Sequence, residues 1–169
     1  LNGTATVLLD FNGTGFATST NVAVGDTPTD VVVGDFDGDG DSDFVVANQF
    51  THQLTLMTNN GSGVFSFGGV LPSGGKKPTS LVAGHFNNDS FLDLAVANFG
   101  THPSGGDFGN VAVLLGRGNN TFQNAVPYAV GIGPINVTSG DFNGDGFADL
   151  VTANFLANTA SVLFGSQTG

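Results

Sequence analysis

The chain of 169 residues contains no cysteine, no tryptophan and no glutamate, and only three basic side chains, Lys76, Lys77 and Arg117, stand against its 14 acidic ones. Every acid is therefore an aspartate, and the formal net charge is -11. So little positive charge excludes ordinary nucleic-acid binding, for which a basic stripe is the minimum requirement, and it disfavours docking on anionic membrane surfaces. No apolar run approaches the roughly 18 residues of a membrane-spanning helix, so no membrane insertion is expected. The lack of cysteine removes the thiol nucleophile. Also missing are a Gly-x-Ser-x-Gly elbow, a phosphate-binding glycine loop before a helix, and any zinc-like spacing among His52, His85 and His102. Helical periodicity over ten or twelve residues is nowhere to be found. What remains is a chain of 27 glycines, rich in valine and threonine, with 40% hydrophobic and only 10% charged residues. That composition describes short strands joined by tight turns, with a surface of Asn, Thr, Ser and Gly.

The aspartates are not scattered. Residues 35–43 read Asp-Phe-Asp-Gly-Asp-Gly-Asp-Ser-Asp, with five carboxylates at alternate positions. Bare, they would repel one another; the spacing is what a hard cation with many oxygen ligands asks for. Asp35, Asp37, Asp39 and Asp43 can each offer a side-chain oxygen, and Asp41 its backbone carbonyl. Calcium fits better than magnesium, which demands a stricter octahedron and keeps more water. An EF-hand would need a bidentate Glu at its twelfth position, where Val46 stands, followed by a helix. The residues that follow are instead the β-branched run Phe44-Val45-Val46-Ala47-Asn48, so the loop joins two strands. Three bound divalent ions would bring the formal charge to about -5, which makes the acidity itself a metal signature.

The loop recurs. His85-Phe86-Asn87-Asn88-Asp89-Ser90-Phe91-Leu92-Asp93 and Asp141-Phe142-Asn143-Gly144-Asp145-Gly146-Phe147-Ala148-Asp149 lie in the same setting, their starts 50 and 56 residues apart. Each is preceded by a short apolar run and followed by a second that ends in Ala-Asn, at 47/48, 97/98 and 153/154. A third run recurs as Thr4-Ala5-Thr6-Val7-Leu8-Leu9, Asn110-Val111-Ala112-Val113-Leu114-Leu115 and Thr159-Ala160-Ser161-Val162-Leu163-Phe164. Four short strands in about fifty residues, with turn chemistry at every joint, predict β-propeller blades. A sandwich would not explain the repeat. The predicted organisation is all-β: a partial blade over 1–25 (strands 3 and 4), blades over 26–74 and 75–131, and a partial blade over 132–169 (strands 1 to 3). Phe36, Phe86 and Phe142, each next to the start of a loop, are expected to pack between neighbouring blades.

The motif Gly140-Asp141-Phe142-Asn143-Gly144-Asp145-Gly146-Phe147-Ala148-Asp149-Leu150 closely resembles the calcium repeat of integrin α-subunit propellers, the FG-GAP or VCBS repeat, which also occurs in bacterial surface proteins and some fungal lectins. The resemblance spans essentially the whole chain in three in-phase copies. It implies a propeller with calcium in the hairpin between strands 1 and 2 of each blade. Carried over by position, it implies that the third loop supplies Asp141, Asn143, Asp145, the Phe147 carbonyl and Asp149. The second supplies Asn87, Asp89, the Phe91 carbonyl and Asp93, but His85 replaces its first aspartate. Imidazole is a poor partner for calcium, so the expected affinity order is first, third, second, with the second either filled weakly or closed by His85 hydrogen-bonding the turn.

With the paired carboxylates committed to these loops and no nucleophile–base pair elsewhere, the expectation is a non-enzymatic, calcium-binding, lectin-like or adhesive module at the cell surface or outside the cell, with a carbohydrate or protein ligand. The alternatives are a self-assembling structural subunit and the accessory propeller of a polysaccharide-active enzyme. In an antiparallel blade the 1–2 and 3–4 hairpins share one face. The opposite face therefore receives residues 49–53, the long insertion 100–110, residues 156–159, and Lys76 and Lys77; the ligand is expected there, because unusual loops tend to carry function. Three periods fall short of the four to eight blades of a closed propeller. Further blades are expected from a longer chain, or from another copy in a six-bladed head-to-tail ring.

Overall fold

The structure, a computed structural model, describes residues 3–87, 89–101 and 105–166. Among the described residues thirteen antiparallel strands fall into four sheets. The first pairs β1 (Gly3–Phe11) with β2 (Phe16–Gly25). The second runs β3 (Pro28–Gly34), β4 (Asp43–Asn48), β5 (Gln53–Asn59), β6 (Phe65–Pro72). The third repeats that order with β7 (Pro78–Gly84), β8 (Asp93–Asn98), β9 (Asn110–Leu114) and β10 (Val126–Tyr128). The fourth holds β11 (Pro134–Gly140), β12 (Asp149–Asn154) and β13 (Thr159–Leu163). These are β-propeller blades, each strand hydrogen-bonded to the next in sequence. Among the described residues no helix is long and apolar enough to cross a membrane.

The second strand of each blade is the reason the sheets stack. β4 and β8 read Asp-Phe-Val-Val-Ala-Asn and Asp-Leu-Ala-Val-Ala-Asn, apolar on both faces, and all six residues of each are buried. A strand without alternation must be covered from both sides, and its neighbouring sheets do that. Val45, Ala47, Leu54 and Leu56 of the second sheet meet Leu81, Leu94, Val96 and Leu114 of the third in one core. Ala95, Ala97 and Val111 of the third meet Val137 and Leu150 of the fourth in another. A third core joins Val22 and Val24 to Phe44, Val46 and Met57.

Polar links repeat along the first strands. A register shift at the start of β3 and of β7 leaves Thr29 and Thr79 out of the ladder. Their hydroxyls donate to the carbonyls of Pro78 (2.9 Å) and Pro134 (3.3 Å) on the next sheet. Asp30 accepts the Leu81 amide at 2.8 Å. The threonine bond thus recurs from the second sheet to the third and from the third to the fourth, and Ser80 Oγ, accepting the Val137 amide at 3.4 Å, takes the place of Asp30 at the second step.

The expected burial of Phe36 between blades is found: it is 2% exposed and lies 6.0 Å, ring to ring, from Phe122. Phe86 packs against the core between the third and fourth sheets. Phe142 does not follow them. It is 53% exposed, since no sheet lies on its far side among the described residues. The mirror case is β3, where Val31 is 54% exposed while its counterparts Leu81 and Val137 are 7% and 4% exposed. The described part of the first sheet has no strands inward of β1, which leaves an apolar cleft beside Val31 and Val33.

Candidate metal loops and the opposite face

The three loops join the first and second strands of the second, third and fourth sheets, all at one end of the molecule. In the first, Asp35 folds the backbone over itself: Oδ1 accepts the Gly38 amide at 2.7 Å and Oδ2 the Gly40 amide at 3.0 Å. Those bonds require positive φ, +83° at Gly38 and +92° at Gly40, which glycine adopts without steric cost. Asp37 accepts the Asp39 amide and Asp39 the Asp41 amide. Asp35, Asp37 and Asp39 each present an oxygen within 4.8 Å of the others. The third loop is built alike. Asp141 accepts the Gly144 amide (2.7 Å) and the Gly146 amide (2.9 Å), with φ of +78° and +85° at those glycines. The Gly146 amide leads the hydrogen bonds that hold the Asp141 carboxyl below its usual range.

The second loop is closed differently. His85 Nδ1 lies 2.9 Å from the Phe91 carbonyl, the oxygen that the repeat pattern offers to a cation. Asn87 and Asp89 bond to each other at 2.9 Å. His85 therefore hydrogen-bonds the turn.

Asp43, Asp93 and Asp149, the last position of each loop, have a role that alternation alone does not reveal. All three are 0% exposed. One oxygen accepts the amide of the loop phenylalanine: Phe36 at 3.2 Å, Phe86 at 2.7 Å, Phe142 at 2.9 Å. The other reaches across to the end of the third strand, to the amides of Asn59 (2.9 Å), Gly116 (2.8 Å) and Gly165 (2.8 Å). Each carboxylate thus closes its own loop and latches it to the residues at or just past the end of the third strand. Burial raises the Asp43 and Asp93 carboxyls, against the pull of these amides. The phenylalanine at the second position of each loop and the aspartate at its last were the signal in the sequence; only contacts across three strands show what they share.

A hard divalent cation fits the first loop best. Its donors are all oxygens, three carboxylates converge, and Asn120, whose Nδ2 meets Asp37, has a buried Oδ1 with no hydrogen-bond partner among the described residues. The third loop fits with less charge, through Asp141, Asn143 and Asp145. The second lacks the first carboxylate, and its Phe91 carbonyl is already engaged.

At the other end the second strands finish in Asn48, Asn98 and Asn154, each about 1% exposed or less. Their amide nitrogens donate to Thr55 Oγ1 (2.9 Å), to Asn110 Oδ1 (3.0 Å) and to Ser161 Oγ (2.9 Å) on the third strands. Here too lie the exposed side chains of Phe50, Phe108, Phe155 and Leu156. Of the insertion, 102–104 fall outside the described residues. Asp107 anchors what is described, accepting the Thr101 hydroxyl at 3.0 Å; burial pushes its carboxyl up, but that bond, the Gly109 and Thr101 amides and the charge of Lys76 together bring it below the usual range.

No curated protein matches this sequence. The model of the FG-GAP-like repeat family matches twice, over residues 35–96 and 86–152, and these two stretches take in all three loops and more than half of the chain. With blades of the propeller kind and matches in phase with its loops, the chain belongs to the FG-GAP-like repeat family.

Proposed function

We propose that this protein is a non-enzymatic, calcium-stiffened propeller module that works outside the cell or on its surface in adhesion or recognition. The observation that carries the reading is the convergence of Asp35, Asp37 and Asp39 within 4.8 Å on a backbone bent by glycines. Calcium bound there and in the third loop neutralises like charges that the fold otherwise holds together. The second loop uses His85 in place of the ion. Sites of this exposed kind suit the millimolar calcium found outside cells.

Calcium binding only to the native state stabilises by mass action, about 2.7 kcal/mol for one site at a hundred times its Kd. Thermal unfolding in excess chelator is therefore expected at a clearly lower midpoint than in millimolar calcium, with Asp37→Ala removing part of the difference. Coincident melting curves in chelator and in calcium would sink the metal reading.

Recognition belongs to the opposite face. The support is the group of exposed Phe50, Phe108, Phe155 and Leu156, since flat apolar rings suit the faces of sugar rings or an apolar protein patch. Deleting 101–108 is expected to abolish ligand binding on a glycan array or to cell-surface protein, with calcium affinity unchanged. Retained binding by the deleted chain would move the site elsewhere. A second reading, an assembly subunit, draws on the bare apolar faces at Val31, Val33 and Phe142, which further blades would cover. Whether such blades belong to the same chain or another copy is read directly from the mass of the folded particle.

A further inference from the structure

We propose that Asn120, which belongs to the neighbouring sheet, is a positioning residue for the first cation loop and sets that loop's affinity through Asp37. The inference rests on the metal reading above and goes beyond the loop's own residues. Asn120 lies between β9 and β10 of the third sheet, 83 residues from Asp37. Its backbone amide donates to the Phe36 carbonyl at 3.0 Å. Its Nδ2 donates to Asp37 Oδ2 at 2.8 Å. The other oxygen of Asp37 accepts the Asp39 amide at 3.2 Å, so this carboxylate is held from two sides, once by its own loop and once by the next blade.

Two features show that the contact is more than incidental packing. Asn120 has φ +61°, a region that asparagine enters more readily than most side chains but still at a cost. Among the described residues its Oδ1 is buried without a hydrogen-bond partner, as are those of Asn48, Asn98 and Asn154, which close the blade ends; at Asn120 this is a second cost. Both are incurred at the residue whose Nδ2 meets a carboxylate of the cation loop. A partner that orients a ligating carboxylate typically changes metal affinity by about 10–100-fold. Coupling is reciprocal: a cation that fixes Asp37 must also strengthen the hold of the third sheet on the second.

The test uses the full chain carrying Asp89→Asn and Asp145→Asn, which leaves only the first loop with its full set of carboxylates. Calcium affinity is measured by calorimetry with and without Asn120→Gly, a change that removes the amide and keeps the positive φ free of strain. The expected result is an affinity about 10–100-fold lower for the glycine variant, with Asp35→Ala in the same background abolishing binding. Equal affinities overturn the inference and leave the metal reading standing; no heat of binding in the background chain removes both. A measurement that needs no substitution of Asn120 is hydrogen exchange on the unaltered chain. Calcium is expected to slow exchange of the Asn120 amide by about tenfold or more, in keeping with that coupling. Exchange indifferent to calcium overturns the inference in the same way.

Discussion

Asp93→Ala is expected to destabilise the folded chain by about 2–6 kcal/mol, in chelator as much as in calcium. The side chain is fully buried and takes the Phe86 amide at 2.7 Å and the Gly116 amide at 2.8 Å. Without it two buried donors lose their acceptor, at about 1–3 kcal/mol each. Against a total stability of about 5–15 kcal/mol, that is a large share. Asp93 separates this role from metal binding, because its loop is the one that His85 closes on the Phe91 carbonyl. Asp93→Asn is expected to fare little better: it keeps one acceptor but turns an amide donor towards a second backbone N–H. Urea unfolding measures the loss, and a change under about 1 kcal/mol would contradict the assignment. Linkage adds a signature. Burial raises the Asp93 carboxyl above 3.8, so the folded chain takes up this proton at a higher pH than the unfolded chain does. Stability from this group therefore rises as pH falls through the window just above 3.8, and the alanine variant loses that increment.

The second large effect is expected at Gly25. A Cβ there would lie 2.5 Å from Asn48 Cγ, and the residue has φ +145°. Neither partner can yield: Asn48 is 1% exposed and its Nδ2 bonds Val24 and Thr55, while the Thr55 hydroxyl bonds the Val24 carbonyl as well. Overpacking of about 1–3 kcal/mol and backbone strain of about 1–3 kcal/mol put Gly25→Ala at about 2–6 kcal/mol. Gly13→Ala is the control, since it also has positive φ, +91°, but a Cβ there would meet nothing within 4 Å. It should show the backbone cost alone, so equal melting points for the two variants would refute the packing argument. The same close approach recurs at Gly75 on Asn98 and Gly131 on Asn154. Each asparagine closes the end of its blade against the glycine that leads into that blade.

Much of this fold was legible in the chain. The alternating polar positions of the loops, the phenylalanine at the second position of each and the Ala-Asn after each second strand repeat in phase, and a repeat of four strands has few architectures open to it. The unbroken apolar runs of β4 and β8 told of cover on both sides. The exposure of Phe142 was not legible, because the sequence around it matches that around Phe36; whether a ring is buried depends on a neighbouring sheet, which local residues do not encode. The same holds for Val31, an aliphatic residue in a first strand like Leu81 and Val137, yet bare.

The sequence by itself determined the strands, their turns and the oxygen chemistry of the loops, because these depend on residues a few positions apart: side-chain alternation, positive-φ glycines and charge spacing. Tertiary structure alone decided which of those oxygens are spoken for. Asp93 meets Gly116, and Asn120 meets Asp37, only after the chain has run through a strand pair or a whole blade. Backbone amides carry no signature in the sequence, so a carboxylate latched to a distant N–H looks the same there as one free to hold a cation.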